Sequence, residues 1–275
     1  MDQPSDFLED RELAYATARR VFRPGEHLEF DPSYRLCHLP LVAPGHPLAI
    51  RSAPGRAYVD GRYEEPRRAL VVPVSWPALA ASPAFRALED RMAAAAFAGK
   101  IAWDLGRRRR PHLHATLAGG LTDADVARLA RELPGLLAEL GPIRIRLGGP
   151  LVGDRNWGRI YLPLYPERVA GSDPFRRIQG AAGAPAGGFY GVGYYHLTDP
   201  LDPAETAALA AILDEWRATP VAEVALSHLE LHATHDDLVL SGRTLATIPA
   251  PQRPGRQPQP QAISDRVGAG SPPRR

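Results

Sequence analysis

Two short segments of the chain share the pattern histidine, any residue, threonine. They are His114-Ala115-Thr116 and, 82 positions later, His196-Leu197-Thr198. Side chains two positions apart point to the same face of a β-strand, so each segment would present an imidazole beside a hydroxyl. A neutral imidazole can take a proton from water or a ribose hydroxyl, and a protonated one can give a proton to a leaving oxygen, while hydroxyls donate hydrogen bonds to phosphate. These residue types suit phosphodiester chemistry without a metal ion.

The two segments belong to an internal repeat. Residues 121–133 align without a gap with residues 201–213, and each stretch opens a capped helix shortly after a His-x-Thr segment. An apolar strand follows each helix, at 143–147 and at 221–226. The unit of strand, His-x-Thr, capped helix and strand therefore occurs twice. It predicts two similar lobes related by a pseudo-twofold axis, with both imidazoles facing one cleft.

These motifs, their separation and the order of strands and helices resemble the two-histidine (2H) phosphoesterase superfamily, which includes the bacterial 2′-5′ RNA ligase-like cyclic phosphodiesterases. The resemblance covers roughly residues 66–248. It implies an α+β, bilobal fold of two pseudo-twofold-related lobes, each an antiparallel sheet with helices outside. It also implies no metal, no cofactor, and hydrolysis or reversible ligation of 2′,3′-cyclic or 2′-5′ phosphodiester bonds of RNA ends or nucleotides.

Within this resemblance, His114 and His196 would be the acid/base pair, and Thr116 and Thr198 would hold the phosphate. Which histidine is the acid depends on the orientation of the substrate. Asp199 departs from the family pattern, which usually has an apolar residue after the second motif, and it would place a carboxylate near the phosphate.

Three further residues are candidate substrate ligands because of their positions. His112 and Tyr194 each lie two residues before a motif histidine and would share its strand face. Arg110 ends the run Arg107–Arg110 and would stand at the entrance of the cleft, where a guanidinium can hold a phosphate. Each has an ordinary structural alternative: strand surface for His112, core packing for Tyr194 and a solvated loop for the arginine run.

Two other histidine patterns compete with this interpretation. One is a glycine followed after five residues by His-x-His, formed by Gly106 and His112-Leu113-His114. This pattern matches the opening of a cupin metal motif and would give a metal-dependent enzyme. However, residues 117–119 lack the glutamate of that motif, and capped helices do not fit a jelly roll. His232-Ala233-Thr234 is a third His-x-Thr, but the repeat favours His196 as the second motif. A non-catalytic RNA- or nucleotide-binding protein on the same fold is a further alternative.

Composition narrows the class of protein. The 275 residues, 44% of them hydrophobic, suffice for a large core, and the single cysteine excludes an internal disulfide framework. The longest alanine-rich apolar stretch, at 93–98, is too short to span a membrane, and no signal peptide is recognisable. We therefore expect a cytoplasmic monomer without a membrane partner.

The chain divides into three regions. Residues 1–65 are an N-terminal extension without an assigned role, with a helix expected over about 5–21, and their position could cover the cleft. Residues 66–248 form the phosphoesterase-like domain, and residues 249–275 form a Pro/Arg-rich tail that should be disordered. The tail has a net charge of +4 and the whole chain has a net charge of +2, so the other residues sum to −2. A folded region this close to neutral lacks the large positive charge of proteins that bind duplex nucleic acid. Any site for an anion must therefore be local.

Overall fold

A computed structural model of the chain describes residues 6–55 and 58–253. The helices are α1 (Tyr15–Ala18), α2 (Pro32–Cys37), α3 (Leu39–Val42), α4 (Trp76–Ala81), α5 (Pro83–Ala93), α6 (Trp103–Arg109), α7 (Asp123–Leu140), α8 (Pro174–Ala181) and α9 (Pro203–Trp216). The strands are β1 (Tyr58–Val59), β2 (Arg62–Pro73), β3 (His114–Leu121), β4 (Arg144–Leu147), β5 (Leu151–Val152), β6 (Arg159–Pro166), β7 (Gly191–His196), β8 (Ala222–Ala225), β9 (His228–Asp236) and β10 (Gly242–Pro249). The tail expected to be disordered from residue 249 is ordered as far as residue 253: Pro249 ends β10, the Ala250 N–H donates to the Ser227 carbonyl, and Arg253 pairs with Glu167. The rest of that prediction, for residues 254–275, lies outside the described residues.

The strands form two five-stranded antiparallel sheets, so the fold class is α+β, as expected. In the first sheet β2 pairs with β1, β3 and β9, and β10 pairs with β9. In the second sheet β6 pairs with β4, β5 and β7, and β8 pairs with β4. The two strands that carry the His-x-Thr motifs, β3 and β7, belong to different sheets and lie next to each other.

The two repeat helices begin where the sequence predicts. Thr122 and Asp125 form a reciprocal capping box at the start of α7, and Asp202 and Glu205 form the same arrangement at α9. Apolar residues at helical spacing turn one face of α7 into the core, which is continuous across both sheets. No helix in the described ranges is long and apolar enough to cross a membrane.

The N-terminal extension packs on the second sheet, where only one turn of the helix expected over about 5–21 forms. Phe7 makes an isolated bridge with Glu167, and the Tyr15 hydroxyl, fully buried, accepts from the backbone N–H groups of Leu164 and Tyr190. Backbone N–H groups of Leu8, Ala14 and Arg20 donate to carbonyls outside the extension instead of to carbonyls of a helix. The strand β2 crosses the boundary expected between residues 65 and 66, because its first residues pair with β1 and β9.

Candidate active site

The first motif histidine lies at the start of β3. The His114 side chain is nearly buried, and Ala115 after it belongs to the core. Its Nδ1 is 2.7 Å from the carbonyl oxygen of His112, which can only accept, so Nδ1 carries the proton and the neutral ring offers Nε2. Burial, and then the neighbouring His232, lower the pKa of His114 to about 3.

The second motif histidine lies at the end of β7 and is arranged in the same way. His196 is 1% exposed, and Leu197 after it is in the core. A hydrogen bond with the backbone of Tyr194 holds the ring, and its Nε2 is buried without a hydrogen-bond partner. Burial lowers the pKa of His196 well below 6.5, with further lowering by Arg109 and Arg159.

The N-terminal extension covers the second motif. His38, the residue after α2, is 1% exposed and stacks on His196 with ring centroids 6.1 Å apart. Tyr34 stacks on His38 and donates its hydroxyl hydrogen to the carbonyl of Leu197 at 2.7 Å. A Cβ at Gly158 would overlap the Tyr34 ring, so this close packing requires glycine there.

His114 has a different neighbour. The ring of His232, on β9, meets it edge to face with centroids 5.0 Å apart. A small cleft beside the two rings is also lined by His112, Glu230, Arg243 and Thr244. The structure thus places His114 against the histidine of the competing third motif, while His196 lies against His38.

Two guanidinium groups lie close enough to both motif histidines for their charges to oppose protonation of each imidazole. Arg109, at the end of α6, is fully buried, and its Nε donates to the Leu238 carbonyl at 2.9 Å. Its Nη1 donates to the carbonyl of Gly193 on β7. Arg159 is the cross-strand neighbour of His196, and its Nη1 lies 3.2 Å from Nε2 of His38.

Arg109 is a site residue that the sequence analysis missed. The arginine run was expected as a solvated loop or a cleft entrance, but it forms the last turn of α6 and the turn after it. Arg107 and Arg108 are exposed, whereas Arg109 follows the buried Leu105 by four residues and shares its face of the helix. Its spacing of four residues from Leu105 is the sequence signal that distinguishes Arg109 from Arg107 and Arg108.

The motif threonines are less well placed for phosphate than expected. Thr116 is exposed beside the nearly buried His114. The Thr198 hydroxyl donates to the Asp199 carboxylate at 2.9 Å and lies 3.2 Å from the Lys100 carbonyl. Asp199 is in turn 3.1 Å from Nε2 of His46 in the N-terminal extension. The carboxylate that departs from the family pattern therefore engages the hydroxyl of the second motif.

The three candidate substrate ligands lie apart from one another. His112 is exposed in the turn before β3. Tyr194 is the extra residue of a bulge, so its hydroxyl bonds to Glu89 at 3.3 Å, alongside that of Tyr195, instead of sharing a face with His196. The Arg110 guanidinium lies 3.8 Å from the Trp76 ring centroid. Arg110 and Tyr194 line a separate pocket around Glu89.

Comparison of the sequence with models of known protein families gives no match, and no curated protein matches it either. Over residues 6–55 and 58–253, no group of three or more His, Cys, Asp or Glu side chains is arranged to hold a metal ion. The structure therefore offers no such ligand set around His112 and His114 for the metal-dependent alternative.

The buried histidines predict a steep loss of stability in mild acid. His38 and His114 have pKa values lowered to about 3, and that of His196 is also lowered, so the unfolded chain binds these protons first. Stability is complete above the unfolded value of ~6.5 and falls as pH decreases below it, by up to ~1.4 kcal/mol per pH unit for each histidine. Urea unfolding should show a loss of about 4 kcal/mol between pH 7 and pH 5.5.

A pair of variants tests this assignment. His38→Phe should reduce the slope of stability against pH by about one proton, because it removes one titrating ring. His27→Ala, at an exposed position, should leave the slope unchanged. A wild-type stability that is flat over this pH range would contradict the burial of neutral imidazoles.

Proposed function

We propose that the protein is a metal-independent phosphodiesterase that acts on 2′,3′-cyclic or 2′-5′ phosphodiester bonds of RNA ends or nucleotides, with His114 and His196 as the acid/base pair. The observation that carries the proposal is the matching local geometry of the motifs. In each, the histidine bonds to the backbone of the residue two positions earlier, and the next residue is buried in the core. This match supports two equivalent lobes, as the resemblance to the 2H superfamily implies.

The arrangement of the strands supports the same conclusion. One motif strand comes from each sheet, and β3 and β7 are neighbours. Arg109 and Arg159 influence the protonation of both histidines, so positive charge accompanies both imidazoles. Such charge would attract a phosphodiester and stabilise the additional negative charge of its transition state.

The chemistry follows from the state of the two rings. In hydrolysis of a 2′,3′-cyclic phosphate, a neutral imidazole accepts at Nε2 a proton from water as the water oxygen bonds to phosphorus. The bond from phosphorus to one ribose oxygen breaks, and the second imidazole, protonated in the complex, gives its proton to that oxygen. Bound phosphate favours this protonation because a nearby anion raises the pKa of an imidazole.

The test is hydrolysis of a 2′,3′-cyclic nucleotide by purified wild-type protein, with and without EDTA. We expect turnover that is unaffected by EDTA. Turnover that requires an added divalent metal would contradict the proposal and favour the His112-His114 alternative. A panel of cyclic mononucleotides and RNAs with 2′,3′-cyclic ends or 2′-5′ linkages then identifies the substrate.

A second candidate is a non-catalytic nucleotide-binding protein on the same fold. The observation that favours it is that His38 and Tyr34 cover His196. The His196 imidazole then cannot contact a large substrate unless the N-terminal extension moves. Tight binding of nucleotides or RNA ends with no turnover across the same panel would support this function.

A further inference from the structure

Four buried nitrogen atoms around the second motif lack hydrogen-bond partners. They are Nη2 of Arg109, Nε of Arg159, Nδ1 of His38 and Nε2 of His196. A buried polar group without a partner costs about 1–3 kcal/mol, so a folded protein rarely accumulates several in one place. Their concentration here indicates that the missing partners come from outside the protein chain.

Three of the four nitrogens must act as donors. Both arginine nitrogens carry hydrogen at all ordinary pH values. Nε2 of His38 lies 3.2 Å from Nη1 of Arg159, which can only donate, so Nε2 accepts and Nδ1 of His38 carries the proton. Nε2 of neutral His196 is a base, because the backbone bond of that ring occupies the other nitrogen.

These groups meet around one glycine of β7. Nη1 of Arg109 donates to the carbonyl of Gly193, and a Cβ on Gly193 would overlap the guanidinium of Arg159. Arg159 is the cross-strand neighbour of His196, on which His38 stacks. The absence of a side chain at Gly193 thus leaves room for the Arg159 guanidinium, and the Gly193 carbonyl binds that of Arg109.

Carboxylates of the protein do not supply the hydrogen bonds that the cluster lacks. In the part of the chain that the structure describes, neither Arg109 nor Arg159 makes an ion pair. Asp236 interacts electrostatically with Arg109, and Asp237 with Arg159 and His38. Their oxygens accept hydrogen bonds from other groups: Asp236 from three backbone N–H groups and the Ser241 hydroxyl, and Asp237 from Tyr58 and Tyr63. A cluster of unpartnered donors that includes two guanidinium groups is suited to an anionic ligand.

We propose that Arg109, Arg159 and His38 form an oxyanion site over His196, with a phosphate group as the ligand. A tetrahedral phosphate presents several acceptor oxygens to the three donors, and a protonated oxygen or a reacting hydroxyl can donate to His196. The identity of the anion rests on the proposed function, whereas the existence of the site rests on the unpartnered nitrogens alone. The N-terminal extension then contributes a ligand, His38, and the arginines take the role expected of Thr116 and Thr198.

The test is calorimetric titration of the full-length protein with inorganic phosphate. Arg159→Met keeps an unbranched side chain of similar length and removes the charge, and His38→Phe keeps the stacked ring and removes the donor. Each should weaken phosphate binding at least about tenfold relative to wild type. Arg155→Met, an exposed arginine in the turn before β6, is the matched control and should bind as wild type does.

The outcomes separate this site from catalysis. Phosphate bound by wild type and weakened by both variants supports the site, even if no substrate is ever turned over. A wild type that binds no phosphate at millimolar concentration, or variants that bind it as tightly as wild type, overturns the site even if hydrolysis is observed. Circular dichroism checks that each variant is folded, and if one is not, the other still decides.

Discussion

Alanine at His114 or at His196 is expected to lower kcat for hydrolysis of a 2′,3′-cyclic nucleotide by roughly 10²–10⁴-fold, the usual contribution of a positioned acid or base. Each substitution removes one of the two nitrogens that exchange protons with water and the leaving oxygen. The double variant should lose little more than either single variant, because acid and base act in the same step. Steady-state kinetics with EDTA present measures all three proteins.

Two other histidines make this experiment specific. His228→Ala removes a partly buried imidazole of β9 that is paired with Glu230, and it should leave kcat unchanged. His232→Ala removes the ring packed against His114 and decides between the second and third His-x-Thr segments. If His232→Ala abolishes hydrolysis and His196→Ala does not, the second motif is His232-Ala233-Thr234 and the assignment of His196 is wrong.

The elements that the sequence predicted well are those with strong local signals. The helices α7 and α9 begin at capping boxes, and an N-cap serine followed by proline, Ser82-Pro83, predicts the start of α5, where the structure has it. These signals need only a few neighbouring residues. The helix expected over about 5–21 forms only one turn, because contacts with the second sheet override the local helical preference.

The sequence predictions for the last two strands, β9 and β10, were wrong for a different reason. The apolar residues at 238–240 predict a strand over residues 237–240, but these residues form the turn between β9 and β10, in which Asp236 accepts from the backbone N–H groups of Leu238 and Leu240. An aspartate that binds the backbone ahead of it favours a turn even where apolar residues follow. The strand β10, at Gly242–Pro249, was missed, because its polar and small residues pair with β9 at an edge of the sheet.

The motif histidines themselves were visible in the sequence, but their surroundings were not. Nothing local to Tyr34 or His38 indicates that they pack on a strand over 150 residues away, since long-range contacts of an extension depend on the whole fold. The same limit applies to Arg159, whose importance comes from its pairing with His196 and from the space at Gly193. Arg109 is the exception, because its spacing from Leu105 carried the signal.

Arg109→Leu is expected to lower the free energy of unfolding by about 3–5 kcal/mol. The guanidinium joins the second sheet, at the Gly193 carbonyl, to the turn after β9 in the first sheet, at the Leu238 carbonyl. Leucine would leave both carbonyls without these partners, and each hydrogen bond to a charged group contributes about 1.5–3 kcal/mol. Loss of the only fully buried arginine among the described residues should therefore loosen the junction of the sheets.

Urea unfolding at pH 7 measures the effect, and Arg108→Leu is the matched control. Arg108 precedes Arg109 on the same helix but is exposed, so its replacement should change stability by no more than about 0.5 kcal/mol. Added phosphate should raise the midpoint for wild type and Arg108→Leu but not for Arg109→Leu, because a ligand stabilises only a folded state that binds it. An Arg109→Leu protein as stable as wild type would contradict this prediction. It would show that the repulsion between Arg109 and Arg159 offsets the two hydrogen bonds of Arg109, and that Arg109 serves binding and not stability.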